Sequence, residues 1–137
     1  MTKVDLWNQT DLDLASRGLT PPEAVRKVTV EAMVDTGAVT MVIPEEVAEA
    51  LGLSLIHYGT ATLADGTKRQ IPSMGPLRVE IFGRPMVCSA YVTPAGTMPL
   101  IGQIPLEALD LIVDPGTREV RVRSADGPMG WLLQLAA

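Results

Sequence analysis

The sequence holds a single cysteine, Cys88, and a single histidine, His57. One cysteine excludes an internal disulfide framework and suits a reducing, cytoplasmic location. One residue of each kind argues against a zinc site, which needs about three or four such ligands. No stretch approaches the roughly 18 continuous apolar residues that crossing a bilayer demands. The N-terminal Met1-Thr-Lys-Val-Asp-Leu6 lacks the long apolar core and small-residue cleavage site of a secretion signal. The 11 basic residues are scattered through a chain of net charge -5, whereas nucleic-acid binding draws on a concentrated basic face. There is no Gly-x-Ser-x-Gly, no phosphate-binding glycine loop, no internal repeat and no low-complexity segment. These absences leave a folded protein with no expected cofactor, metal, membrane or nucleic-acid partner.

What is abundant is turn-forming. The 137 residues include 12 Gly and 11 Pro, beside 47% hydrophobic and 20% charged residues. That balance suits one domain over residues 1–137, built of short strands joined by tight turns. Alternation over residues 4–14 predicts one or two exposed strands, and alternation from Lys27 predicts a half-buried strand that ends at Asp35. Pro44 to Gly52 reads as a short helix, with acids at its start, glycine at its stop, and Val47, Ala48 and Leu51 on one face. Tyr58 to Ile71 reads as a hairpin with Asp65-Gly66 as a two-residue turn. Leu77 to Ile81 and Met86 to Thr93 read as strands joined by a turn at Gly83-Arg-Pro85. Ile104 to Leu111 reads as a second short helix, Asp114-Pro-Gly116 as a turn, and Val120 and Val122 as a last strand. The tail Gly130 to Ala137 is apolar for a free terminus and should pair with something. The expected class is mainly β with two short helices.

The chain is organised around Glu31-Ala-Met-Val-Asp35-Thr36-Gly37-Ala38-Val-Thr-Met-Val-Ile43. An apolar strand breaks at a carboxylate, a hydroxyl and a glycine, then resumes. A carboxylate at the end of a buried strand is costly to desolvate, which points to a purpose. The glycine permits unusual torsions and close approach of another chain.

These residues resemble the single-domain aspartic proteases, the retropepsin-like group of retroviral proteases and their bacterial relatives. Asp35-Thr36-Gly37-Ala38 looks like the family's catalytic turn. Tyr58 to Ile71 looks like its flap, with Ala64, Asp65, Gly66 and Thr67 at the tip. Leu100-Ile101-Gly102 looks like the pair of hydrophobics and glycine that support the turn, and a helix follows at Ile104. The likeness spans residues 26–123. It departs at Met41, where many relatives carry Ser or Thr. It implies a retropepsin-like closed β-barrel fold and a homodimeric aspartic endopeptidase acting on peptides or proteins, with Asp35 of each subunit forming the dyad. The chain has one Asp-Thr-Gly, since Asp65-Gly66, Asp126-Gly127 and Asp114 end no apolar strand, so the second carboxylate must come from an identical subunit. By the same resemblance Thr36 would brace the two turns and Gly37 would admit the substrate backbone. The tail and the N-terminal strand are candidates for an intersubunit sheet.

Plainer readings stand beside these. Asp35 can be a turn aspartate bonding its own backbone, and the hairpin an ordinary surface hairpin. Leu100-Ile101-Gly102 can be plain core, His57 a surface residue, and Cys88 a buried structural thiol. The whole can be a non-catalytic dimerisation or peptide-binding module.

Overall fold

Alternation of apolar and polar residues sets the strands, and their pairing closes on itself. The computed structural model describes residues 1–62, 64–117 and 119–123. The strands are β1 (Thr2–Asn8), β2 (Lys27–Val34), β3 (Met41–Pro44), β4 (Ser54–Thr62), β5 (Lys68–Ile81), β6 (Arg84–Thr93), β7 (Leu100–Ile101), β8 (Leu111–Val113) and β9 (Val120–Val122). The helices are α1 (Gln9–Ser16), α2 (Glu45–Leu51) and α3 (Gln103–Ala108). The main sheet runs β1-β2-β7-β3-β6-β5-β4, and β5 also pairs with β1. Six strands therefore form a closed ring, with β4 hanging on β5 outside it; closure removes most of the exposed edge.

One strand makes the closure possible. β5 pairs with β4 through its first half and with β1 through Leu77–Glu80, while β6 runs along its other side. The register against β6 shifts between Met74 and Leu77, at Gly75-Pro76, where proline offers no N–H to a ladder. The residues expected as a hairpin arm and as a separate strand are thus one continuous, bent strand. Inward-facing Val4, Leu6, Ala32, Met41, Ile43, Leu77, Val79, Ile81, Ala90 and Ile101 are fully buried and fill the ring.

α2 closes one side through Val47, Ala48 and Leu51, the face expected. It stops at Gly52, whose left-handed conformation lets Gly52 N donate to Glu49 O and Leu53 N to Ala48 O.

Several local expectations are corrected. Residues 9–16 are helix, not strand. Leu12 and Leu14 alternate with Asp11 and Asp13, which mimics a strand, but Asn8 is a helix cap whose side chain accepts from Asp11 N at 3.0 Å. α1 buries none of its residues and adds a third helix to the two expected. β1 is not an exposed strand, because it carries Val4 and Leu6 into the core. Over Asp5–Trp7 both its edges are paired within the protomer, which removes that stretch as an intersubunit strand.

The hairpin strands stop at Thr62 and resume at Lys68, a wider tip than a two-residue turn. Of Asp65 and Gly66 only Gly66 takes a positive φ, and Asp65 Oδ1 instead accepts from Thr67 N and Oγ1 at 2.9 and 2.6 Å. The tight two-residue turn falls at Phe82-Gly83, both at positive φ (52° and 74°) between Ile81 and its partner Arg84. Leu111 belongs to β8 rather than to α3. The tail from Gly130 and Asp126-Gly127 lie outside the described residues.

Candidate active site

The aspartate turn is suspended between two strands and pinned by a third. β7 lies between β2 and β3, parallel to the first through Val34↔Ile101 and antiparallel to the second through Val42↔Leu100. The strands that flank the turn are therefore held apart by one strand's width. Met33 N donates to Pro99 O at 2.9 Å and Asp35 N to Ile101 O at 3.0 Å, so the ladder reaches the aspartate's own backbone.

The turn then closes on itself. Ala38 N donates to Asp35 O at 3.0 Å, and Gly37 N donates to Asp35 Oδ1 at 2.9 Å. The backbone bond required by the plain turn-aspartate reading is thus present. It fixes the orientation of the carboxylate rather than hiding it, because Asp35, Thr36 and Gly37 are all exposed on the protomer. The expected buried carboxylate is corrected here: the strand β2 is only half-buried, and it delivers its last residue to the surface. Thr36 is exposed, and among the described residues its side chain makes no hydrogen bond.

Behind the turn, Gln103 N donates to Ala38 O and Ile104 N to Val39 O, both at 2.8 Å. These are first-turn N–H groups of α3 that have no partner within their helix. Gly102 sits at the junction. A Cβ there would lie 2.3 Å from Thr40 O, 2.7 Å from Ala38 O and 2.8 Å from Thr40 N, so only glycine lets β7 pass so close beneath the turn. Its φ of -92° is ordinary, and space rather than torsion requires it. Leu100 is half-buried and Ile101 fully buried.

Further groups support the loop from behind. Met41 is fully buried core, and the hydroxyl beside it, on Thr40, donates to Ser89 O at 3.2 Å, tying the loop to β6. The Cys88 thiol next to that contact is pushed up to about 11 by burial, with the Thr40 hydroxyl acting the other way. Gln103 and Ile104 act through their backbone, which side-chain chemistry cannot advertise. Apolar side chains stand exposed on the loop and the segments that brace it: Met33, Val39, Met98 and Ile104.

The hairpin reaches the turn through its arms, on the tip side of their middle. Gly59, Thr60, Ala61 and Ile71 join Val39 and Tyr91 around a cavity of about 150 Å³. Ala64, Asp65, Gly66 and Thr67 are exposed at the tip and do not line it. The Thr67 hydroxyl and N–H hold the Asp65 carboxyl below its usual range, and the Gly116 and Thr117 N–H groups do the same for Asp114. Both acids are engaged in exposed turns away from β7. His57 is exposed, with its ring edge-on to Tyr91 at 6.2 Å. Among the described residues no cluster of His, Cys, Asp and Glu could hold a metal, and no helix is long and apolar enough to cross a membrane.

Residues 24–108 match the family model described as gag-polyprotein putative aspartyl protease. The chain belongs to this aspartyl protease family. Within solved structures, this family member is similar to the retroviral protease-like domain of Ddi1 from Leishmania major. The identity is 20% over 93% of this chain and 92% of that one, with a TM-score of 0.52. At that identity the likeness is one of fold, and it establishes the mainly β, retropepsin-like barrel. No match was found among curated proteins. The matched segment of the aspartyl protease chain contains the aspartate turn, the hairpin, β7 and α3 together.

Proposed function

We propose that this aspartyl protease family member is a homodimeric endopeptidase in which Asp35 of one protomer faces Asp35 of its partner. Two carboxylates about 3 Å apart cannot both ionise, so the pair shares one proton, the arrangement general to aspartic proteases. The ionised member takes a proton from a water between them as that water attacks the peptide carbonyl. The protonated member donates to the carbonyl oxygen. Thr36, which makes no side-chain hydrogen bond among the described residues, would brace the two turns across the axis, and Gly37 would admit an extended substrate backbone. The tip residues 64–67 would close over that substrate and exclude water.

The observation that carries this reading is the seating of Asp35. Its backbone is locked to Ile101 and its carboxylate is oriented by Gly37, yet it remains exposed among apolar Met33, Val39, Met98 and Ile104. A site with half a dyad and an apolar surround is completed by a second copy. The single cysteine supports a reducing, cytoplasmic setting.

The test is turnover of a peptide library between pH 4 and 8, beside a solution mass. The parent should cleave as a dimer, with a bell-shaped pH dependence. Asp35→Asn should lose about 10²–10⁴-fold or more in rate while keeping the dimer mass. Cleavage that persists in that variant would remove Asp35 from the mechanism. Tight peptide binding by the parent without any turnover would favour the non-catalytic module instead.

A further inference from the structure

The cavity under the hairpin arms is walled on one side by the loop that carries Asp35, four residues before Val39. Its other walls are two strands of the hairpin and the β6 residue Tyr91. None of the six lining residues is charged, and the only polar side chains are the hydroxyls of Thr60 and Tyr91. A cavity of this size, about 150 Å³, matches one benzene-sized group and falls short of an indole.

Tyr91 sets that size because of Gly59. A Cβ on Gly59 would lie 2.5 Å from Tyr91 Cε1, 2.7 Å from Oη and 2.9 Å from Cζ. The phenol therefore rests directly on the β4 backbone, in space that any other residue at 59 would occupy. Glycine inside a strand marks such a close approach. The backbone of Tyr91 is independently fixed, pairing with Val42 on one side and Ser73 on the other. The ring can be removed without removing a strand.

We propose that this cavity is the site's specificity pocket for one substrate side chain, and that Tyr91, seated on Gly59, limits it to Val, Ile, Leu or Phe. The inference rests on the endopeptidase reading above and extends it to a substrate class. Trp is excluded by volume. Lys, Arg, Asp and Glu are excluded because no lining group could pair a desolvated charge.

The experiment is digestion of a mixed peptide library by the parent dimer and by Tyr91→Ala, Tyr91→Phe and Gly59→Ala, with cut sites read by mass spectrometry. In the parent, one position beside the scissile bond should favour Val, Ile, Leu or Phe over Trp and over charged residues by about tenfold or more. In Tyr91→Ala that position alone should shift toward Trp, while preferences elsewhere stay fixed. Tyr91→Phe should keep the parental profile, and Gly59→Ala, which displaces the ring, should blur it at the same position. The two conservative variants keep the test alive if Tyr91→Ala does not fold. A parent that cleaves with a profile unchanged in all the variants overturns the pocket and leaves the endopeptidase reading intact. A parent dimer that cleaves nothing overturns both.

Discussion

Replacing Gly102 with alanine tests whether the aspartate turn is held by close packing. The added Cβ would stand 2.3–2.8 Å from three backbone atoms, Thr40 O, Ala38 O and Thr40 N. No side chain can rotate away to relieve this, so either the turn or β7 must move. Overpacking of this kind costs about 1–3 kcal/mol. Movement also strains the bonds from Gln103 N to Ala38 O and from Ile104 N to Val39 O, each worth about 0.5–1.5 kcal/mol. A loss of about 3 kcal/mol is expected, which for a domain of this size lowers Tm by roughly 10 °C. The assay is a thermal or denaturant melt followed by circular dichroism, with peptidase activity measured below the transition. Activity should fall further than folded fraction alone explains, because the shift falls on the loop that carries Asp35. Gly18→Ala is the control. Gly18 has φ +70° and nothing within 4 Å of a Cβ, so its cost is torsional, about 1–2 kcal/mol, with activity unchanged. Equal stability and activity in Gly102→Ala and the parent would refute the packing argument.

Three further outcomes are expected. Phe82 occupies a left-handed position (φ 52°) in a tight hairpin turn and is 55% exposed, so Phe82→Asn should raise stability by about 1 kcal/mol in urea melts. The Cys88 thiol, held near 11 by burial, should resist a maleimide at pH 8 in the native protein and react on unfolding in denaturant. The Arg26 side chain bonds the Asp11 carboxyl at 2.9 and 3.0 Å and holds it below its ordinary value of 3.8. A lowered carboxyl contributes stability that is complete above that ordinary value and lost as pH falls through the lowered one. Asp11→Asn should therefore lose a small amount of stability at neutral pH and converge on the parent as pH falls below about 4, which flattens the acid limb.

The parts of the fold most legible in the sequence are those where local chemistry and tertiary demand agree. α2 is such a case, since the acids at its start, the apolar face and the Gly52 stop each do in the fold what their types favour. β2, β6 and the Asp35 turn are similar, because alternation and an interrupted apolar run leave few other arrangements. Legibility fails where one signal imitates another. Residues 9–16 alternate like a strand, but the Asn8 cap and the Gln9–Asp13 bond across one turn decide for helix. The Asp65-Gly66 pair imitates a two-residue hairpin turn that the fold places at Phe82-Gly83, an unfavourable sequence retained by the register between β5 and β6. The role of β1 was hidden because closure of a ring is a long-range property. Its Val4 and Leu6 alternate like those of an exposed strand, and only pairing with both β2 and β5 buries them. In the site, the backbone donors of Gln103 and Ile104 carry no side-chain signature. Gly59 did carry one, as a glycine inside a strand, although its partner Tyr91 lies 32 positions away.

Two identical subunits each contribute half of the proposed dyad, and mixing tests that most directly. Parent protein and Asp35→Asn protein are unfolded together, refolded at equal total concentration, and assayed for peptide cleavage as the parent fraction is varied. With random pairing, activity should follow the square of that fraction, about a quarter of full activity at an equal mixture. A linear dependence, with about half the activity retained at that mixture, would mean that each Asp35 works without its twin and would contradict the account.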